Sequence, residues 1–317
     1  MNDLDALARH KLARMRVAAA SHPDAGAELL TGLAGDASRN VRRVVAARPD
    51  SPADALRALA ADPDRATREA VAANAGTPPE VLLALLADGS RDVRWAVPTN
   101  PAADLSVRRA MCASPDRDVR QGLAQRPGLP AGIVALLARD PAKEVRETMA
   151  GCTGDPAVLQ TLLNDPEPSV RAAAALSGRT TAAQRRQLAR DPACAVRATL
   201  VHAMNYHGWD IPEEDLLLLA RDRSVNVRYW VAALPGSTRP VYKILAEDPD
   251  EMVATAARAW LMAPDNPPGT GTLPTEAVLG GLADQGYFTN PAQLGRPSPK
   301  VREGALDGFI DRLNGPS

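Results

Sequence analysis

One arginine recurs at nearly constant spacing along most of the sequence, usually after a valine and before small apolar residues. The successive gaps are 26, 26, 26, 26, 26, 25, 26 and 31 residues. A guanidinium group binds a phosphate or a carboxylate through two parallel hydrogen bonds. The series therefore predicts either a row of phosphate contacts or a row of internal ion pairs. Its members are Arg16, Arg42, Arg68, Arg94, Arg120, Arg146, Arg171, Arg197 and Arg228.

Aspartates at constant spacing favour the ion pairs. An aspartate lies six residues before seven of these arginines, whereas Ser114 precedes Arg120, so we expect Arg120 to lack a partner. Repeated pairs would tie turns to neighbouring helices and leave the arginines unavailable to a ligand. We interpret them as a structural ladder. It comprises Arg42, Arg68, Arg94, Arg146, Arg171, Arg197 and Arg228 with Asp36, Asp62, Asp88, Asp140, Asp165, Asp191 and Asp222.

A fixed period of this length is typical of a solenoid, in which each repeat buries its apolar face against its neighbours. Apolar residues at helical spacing, such as Val81, Leu82 and Leu85, predict a first helix in each repeat. A tight turn and a second helix with the ladder arginine follow. We expect the first helix to be the longer one. Alanines such as Ala72 in the second helix predict close packing between neighbouring helices.

The pattern Asp62-Pro-Asp-x-x-x-Arg68-x-Ala-Val-Ala-x-Asn74, followed by Thr77-Pro-Pro-Glu-Val-Leu82, resembles the leucine-rich repeat variant family. The resemblance covers about residues 10–260. It implies an all-α fold, a right-handed α-solenoid superhelix of about ten two-helix repeats, related to HEAT-like and armadillo-like solenoids. The founding type of the family also has an N-terminal cysteine cluster that binds iron–sulfur. The first cysteine here is Cys112, so we expect no cofactor and no metal.

The domain organisation follows from where the pattern holds. We expect the solenoid to occupy residues 1–264, with residues 1–15 as an atypical N-terminal cap in which His10 stands at the aspartate position. A segment rich in proline and glycine, residues 265–274, is predicted to be a linker. Helical periodicity then predicts a C-terminal capping element over residues 275–317.

The aromatic residues are concentrated near the end of the solenoid. Nine of the ten Phe, Trp and Tyr residues follow residue 200, and Trp95 is the exception. A thicker core at the end of the stack and an exposed contact patch both fit this distribution. For the contact patch, aromatic side chains are the type most enriched at protein interfaces. The predicted partner-binding residues are Trp95, His202, Tyr206, His207, Trp209, Tyr229 and Trp230.

No motif in the sequence predicts catalysis. The sequence lacks an HExxH zinc motif, a phosphate-binding loop with Gly-Lys-Ser/Thr and a Gly-x-Ser-x-Gly elbow. No apolar run reaches the roughly 18 residues that a membrane-spanning helix needs. Three scattered cysteines indicate a reducing compartment. We therefore expect a cytoplasmic, non-catalytic scaffold that binds a protein or peptide partner and no membrane.

Nucleic-acid binding is the alternative. Lys plus Arg number 37 and Asp plus Glu 38, so there is no overall positive charge to favour it. A HEAT-like protein, including one of the DNA-repair type, would need a local basic groove. Its candidate contacts are Arg179, Arg185, Arg186 and Arg190.

Overall fold

The computed structural model describes residues 3–209, 212–235 and 237–262, and every regular element in these ranges is a helix. The helices form ten consecutive pairs in this part of the chain, each with a first and a second helix. The predicted all-α solenoid of about ten two-helix repeats is confirmed. The first helices are α1 (Asp3–Ala8), α3 (Ala27–Leu33), α5 (Ala53–Leu59), α7 (Pro79–Leu85), α9 (Leu105–Cys112), α11 (Ala131–Leu137), α13 (Pro156–Leu163), α15 (Ala182–Leu188), α17 (Glu213–Ala220) and α19 (Arg239–Leu245). The second helices are α2 (Ala13–Ser21), α4 (Arg39–Ala47), α6 (Arg65–Ala73), α8 (Arg91–Ala96), α10 (Arg117–Ala124), α12 (Lys143–Cys152), α14 (Pro168–Leu176), α16 (Cys194–His207), α18 (Val225–Ala233) and α20 (Glu251–Met262).

The chain divides into two compact units, residues 1–145 and residues 146–317, and the boundary lies within α12. In the N-terminal unit, α2, α4, α6 and α8 pack in series, each against the next. In the C-terminal unit, α14, α16, α18 and α20 do the same. The valines that precede the ladder arginines, such as Val41 and Val119, are fully buried between these second helices. The apolar core of each unit is therefore continuous from repeat to repeat.

The prediction that the first helix is the longer one is wrong. For example, α5 has 7 residues and α6 has 9. The second helix starts directly after the aspartate turn, in which Asp62 Oδ1 accepts a hydrogen bond from the Asp64 N–H at 2.8 Å. Asp64 then caps α6 by accepting from the Thr67 N–H at 3.0 Å. A side-chain oxygen at this position satisfies a donor that a helix start leaves without a partner.

The first repeat makes the same turn with a histidine. His10 Nδ1 accepts a hydrogen bond from the Leu12 N–H at 3.0 Å, and the His10 carbonyl accepts from Arg16 at 2.8 Å. The histidine ring thus takes the place of the aspartate carboxylate in the predicted N-terminal cap. The predicted linker and C-terminal capping element, residues 265–274 and 275–317, lie outside the described residues.

Because the second helices pack closely, a larger side chain between them should lower the free energy of unfolding. Ala72 is fully buried in α6, which packs between α4 and α8. The substitution Ala72→Leu should lower the free energy of unfolding by about 1–3 kcal/mol, because the larger side chain overpacks the contact. The matched change Ala58→Leu, on the exposed side of α5, should stay within about 0.5 kcal/mol of wild type. Equal effects in urea denaturation would contradict this packing.

Candidate interaction surface

Each ladder arginine binds the aspartate of the following repeat. Arg42 Nε and Nη2 donate to the two carboxylate oxygens of Asp62 at 2.5 and 2.9 Å. Arg42 Nη1 donates at 2.8 Å to the main-chain oxygen of Asp36, the aspartate six residues earlier. The ladder therefore links consecutive repeats and also closes the turn within each one. The other two-bonded pairs are Arg16–Asp36, Arg68–Asp88, Arg120–Asp140, Arg146–Asp165, Arg171–Asp191, Arg197–Asp222 and Arg228–Asp248.

The expectation that Arg120 lacks a partner is wrong. Arg120 donates to both carboxylate oxygens of Asp140, at 2.7 and 3.0 Å. Because the partner belongs to the next repeat, Ser114 removes the acceptor of Arg94 instead. Arg94 turns to Asp116, placing both Nε and Nη2 2.7 Å from the same oxygen, Oδ2.

The ladder lowers the pKa of several of its carboxyl groups. For Asp88, the hydrogen bond from Arg68 is the largest cause and lowers the pKa; burial opposes it, and the Ser90 N–H lowers the pKa further. For four other carboxyls, burial is the largest single influence and raises the pKa. The hydrogen bonds and charges of the arginines and backbone N–H groups outweigh it, so the net pKa is again lowered. These four are Asp62, Asp116, Asp222 and Asp248.

A second row of side chains closes the opposite end of the second helices, and the sequence-based predictions do not include it. Asn74 Nδ2 donates to the carbonyls of Ala46 and Arg48 at 2.7 and 2.6 Å. Such carbonyls have no partner inside their own helix. We call this row the capping row. Its members in the N-terminal unit lie six residues after a ladder arginine and are Arg48, Asn74, Asn100 and Arg126.

The end of α16 departs from the capping row, and this helix is unusually long. Ala203 stands six residues after Arg197 and has no side-chain donor, and α16 continues to His207 for a total of 14 residues. His207 Nε2 donates to the Leu176 carbonyl at the end of α14, at 3.0 Å. The helix ends at Gly208, whose φ of 63° lies in the left-handed region that glycine adopts without strain. The extension therefore replaces the missing cap with a histidine.

Three aromatic side chains gather at the end of this extension, and we call them the aromatic cluster: Tyr206, His207 and Trp209. The rings of His207 and Trp209 stack with centroids 4.5 Å apart. Tyr206 meets the edge of His207 at 5.0 Å, and 71% of its surface is exposed. The Arg185 guanidinium lies 4.7 Å from the centre of the Trp209 ring, a favourable cation–π distance.

The remaining predicted contact residues lie in two places. His202 on α16 meets Trp230 on α18 edge-on at 5.1 Å, and Tyr229 lies beside Trp230. Trp95 belongs to the N-terminal unit, where 39% of its surface is exposed. The structure thus brings six of the seven residues onto α16, the residues after it and α18.

Two other aromatic residues form a buried contact. Tyr242 donates from its hydroxyl to the Leu234 carbonyl at 2.6 Å, and its ring stacks on Trp260. Burial, the largest cause, raises the pKa of Tyr242 to about 12. The aromatic residues near the end of the described chain therefore include both core and surface side chains.

The four arginines of the nucleic-acid alternative each have partners within the C-terminal unit. Arg179 donates to the main-chain oxygens of Cys152 and Thr153. Arg185 donates to the Thr180 carbonyl and lies over Trp209. Arg186 and Arg190 both lie beside the carboxylate of Asp215, which is 1% exposed. Each of the four guanidinium groups therefore has at least one partner within the C-terminal unit.

The described residues contain no group of three or more His, Cys, Asp or Glu side chains arranged to hold a metal ion. Within the same ranges, each helix is too short or too polar to cross a lipid bilayer.

Helix pairs joined by two repeating rows of side-chain contacts define the chain as an α-solenoid repeat protein. The model of the leucine rich repeat variant family matches residues 39–64, a single 26-residue repeat that contains Arg42 and Asp62. The predicted resemblance to the leucine-rich repeat variant family is thereby confirmed.

The solved structures that match the chain include the following two. One, described as a leucine-rich repeat variant with a novel repetitive protein structural motif, is 29% identical, with 65% of this chain and 80% of that chain covered and a TM-score of 0.48. The other, an engineered protein, is 16% identical over 100% of both chains with a TM-score of 0.28. No curated protein matches the chain.

The direction of the ladder predicts which arginine matters more for stability. Arg120→Ala should cost about 3 kcal/mol or more, because it leaves the buried carboxylate of Asp140 without its cation. Arg94→Ala should cost only about 1–2 kcal/mol, because Asp116 is more exposed and more easily rehydrated. Urea denaturation of the two variants measures the difference. A larger loss for Arg94→Ala would mean that the ladder does not run from each arginine to the next repeat.

The lowered carboxyl pKa values predict loss of stability in acid. In the unfolded chain these aspartates have higher pKa values and bind protons more readily. Their contribution is therefore present above the unfolded pKa and is lost as the pH falls through the folded pKa. The urea midpoint should decline steadily below about pH 5. The variant Asp88→Asn should start from a lower midpoint and decline less steeply. A wild-type midpoint that stays constant down to about pH 3 would contradict this.

Proposed function

We propose that the protein is a non-catalytic interaction scaffold that binds a partner protein or peptide through its solenoid surface and the aromatic cluster. The observation that carries this proposal is the exposure of Tyr206 at the end of the extended helix α16. The ladder and the capping row are occupied with internal contacts. The positions outside these two rows are therefore the ones available to a partner.

Tyr206 has the properties of an interface anchor. The residue is 71% exposed, yet the edge-on contact of its ring with His207 restricts its position. A large side chain that is already restricted loses little conformational entropy when a partner covers it. Tyrosine and tryptophan are also the residues that most often dominate binding energy at interfaces. His202, Tyr229 and Trp230 extend the same surface along α16 and α18.

The acidic first turn of α17, which follows the aromatic cluster in the sequence, favours a partner with basic groups. Glu213 and Glu214 are exposed there, and Glu214 lies 3.4 Å from Arg186. Asp215 faces inward to Arg190 and is not part of this exposed acidic surface. Aromatic ring faces and exposed carboxylates both attract lysine and arginine side chains.

Nucleic-acid binding is less well supported by the same region. Binding a phosphate backbone requires several protein cations that are free to contact the phosphates and displace the counterions of the nucleic acid. Arg179, Arg185, Arg186 and Arg190 are each held by carbonyls, a ring or Asp215. Nucleic-acid binding is therefore treated as one possible outcome of the crosslinking experiment described next.

The test is site-specific photo-crosslinking in a cell lysate treated with nuclease. A benzophenone amino acid replaces Tyr206 in one variant and Leu218 in the control; Leu218 is 44% exposed on α17. A discrete protein adduct at position 206 that is absent at position 218 is the expected result. Adducts that disappear after nuclease treatment would support the nucleic-acid alternative. The same adducts at both positions, or none at position 206, would overturn the proposal.

A further inference from the structure

Three exposed arginines on the second helices of the N-terminal unit are neutralised by an acid of the next repeat. Arg91 on α8 lies 2.6 Å from Asp118 on α10, and Arg117 lies 3.3 Å from Glu144. Arg65 pairs with Asp92 in the same way. In each case the acid lies 27 residues after the arginine. These surface pairs form a third repeating contact, outside the ladder and the capping row.

The surface pairs are absent around α2 and α4. Ala66 stands 27 residues after Arg39, and Asn40 stands 27 residues after Ala13, so neither position supplies an acid. Arg14, Arg39 and Arg43 are exposed and form no ion pair within the described residues. Glu69, at the register of Arg43 on α6, is not paired with it either. This stretch of the surface therefore carries three cations that no internal carboxylate neutralises.

Two of these arginines line a depression between α2 and α4. It has a volume of about 370 Å³ and is open to solvent. Arg14 lines it from α2 and Arg43 from α4, while the half-buried side chains of Val17 and Val44 provide an apolar floor. We call this depression the α2–α4 groove; its lining is completed by Ala13 and Asn40.

We propose that the α2–α4 groove binds an acidic peptide segment. Guanidinium groups on opposite helices match two carboxylates, each of which can accept two hydrogen bonds from one arginine. A small apolar side chain between these carboxylates fits against Val17 and Val44. Asn40 supplies an amide that can donate to and accept from a peptide backbone.

The lining favours a peptide over a nucleic acid. Proteins that hold single-stranded nucleic acid combine cations with aromatic rings on which the bases stack. The groove is lined by aliphatic side chains, arginines and an amide, without an aromatic ring. The proposal rests on the proposed function in that it adds a peptide site to the solenoid surface; because the groove belongs to the N-terminal unit and the aromatic cluster to the C-terminal unit, the two sites can be tested separately.

Fluorescence anisotropy with the full-length protein tests the proposal. The probe is a fluorescein-labelled peptide of alternating glutamate and valine, compared with its glutamine counterpart and with a labelled oligothymidine. The variant Arg14→Ala/Arg43→Ala removes the groove cations. The control Arg65→Ala/Arg91→Ala removes the same charge from paired positions on α6 and α8. Arg43→Gln, which retains most of the side-chain volume, is the single variant, and circular dichroism verifies that all variants are folded.

The expected result is binding of the glutamate peptide in preference to the glutamine peptide. Its affinity should fall about tenfold in the groove variant, fall less in Arg43→Gln and stay within about twofold in the control. An equal loss in the control would show that net charge alone attracts the peptide and would overturn the proposal. Absence of glutamate-peptide binding, or tighter binding of oligothymidine through Arg14 and Arg43, would also overturn it.

Discussion

A guanidinium group that is enclosed between two helical turns must find partners for its five N–H donors, because an unsatisfied buried charge is costly. In each repeat, the arginine finds these partners in the next repeat and in its own turn. Arg68 donates hydrogen bonds to both carboxylate oxygens of Asp88 in the next repeat. It also donates to the main-chain oxygen of Asp62 in its own turn. One side chain thereby fixes the turn that starts its helix and the position of the following helix. Short helices that are unstable alone gain their order from this contact and from the apolar core beneath it.

The ends of the second helices show what happens when one repeating contact is lost. Where an asparagine or arginine caps the preceding helix, as Asn74 and Asn100 do, the chain leaves the helix and turns to the next repeat. Ala203 cannot form this contact; α16 is 14 residues long, and His207 in its last turn bonds to the Leu176 carbonyl. The exposed Tyr206 lies in the same last turn. The surface pairs are likewise missing around α2 and α4, where Arg14 and Arg43, which lie outside the register of those pairs, form no ion pair among the described residues. Both proposed binding surfaces therefore coincide with breaks in a repeating contact.

The sequence predicts the repeats well because period, apolar spacing and the aspartate turn all indicate the same structure. The direction of the ladder is a different matter. In a 26-residue period, an aspartate six residues before one arginine is also 20 residues after the previous arginine. Spacing alone therefore does not separate a pair within a repeat from a pair between repeats. For this reason, spacing alone assigns Ser114 to the wrong arginine.

The contact residues were harder to predict than the fold. Tyr206 and Tyr242 are both tyrosines near the end of the array, yet one is exposed and the other is buried against Leu234 and Trp260. Their difference depends on the length of α16 and on the packing of α19 with α20, which no local pattern specifies. The capping row does have a sequence signal, the recurring Asn or Arg six residues after the ladder arginine. Its meaning becomes clear only when the carbonyls of the preceding helix are in place.

Each ladder arginine joins its own repeat to the next one. A pair of double-mutant cycles tests it most directly, with unfolding free energies measured for the single and double alanine variants. One cycle combines Arg68 with Asp88, and the other combines Arg68 with Asp62. The coupling energy should exceed about 1 kcal/mol for Arg68 with Asp88 and should be clearly smaller for Arg68 with Asp62. A larger coupling with Asp62, or none with Asp88, would contradict it.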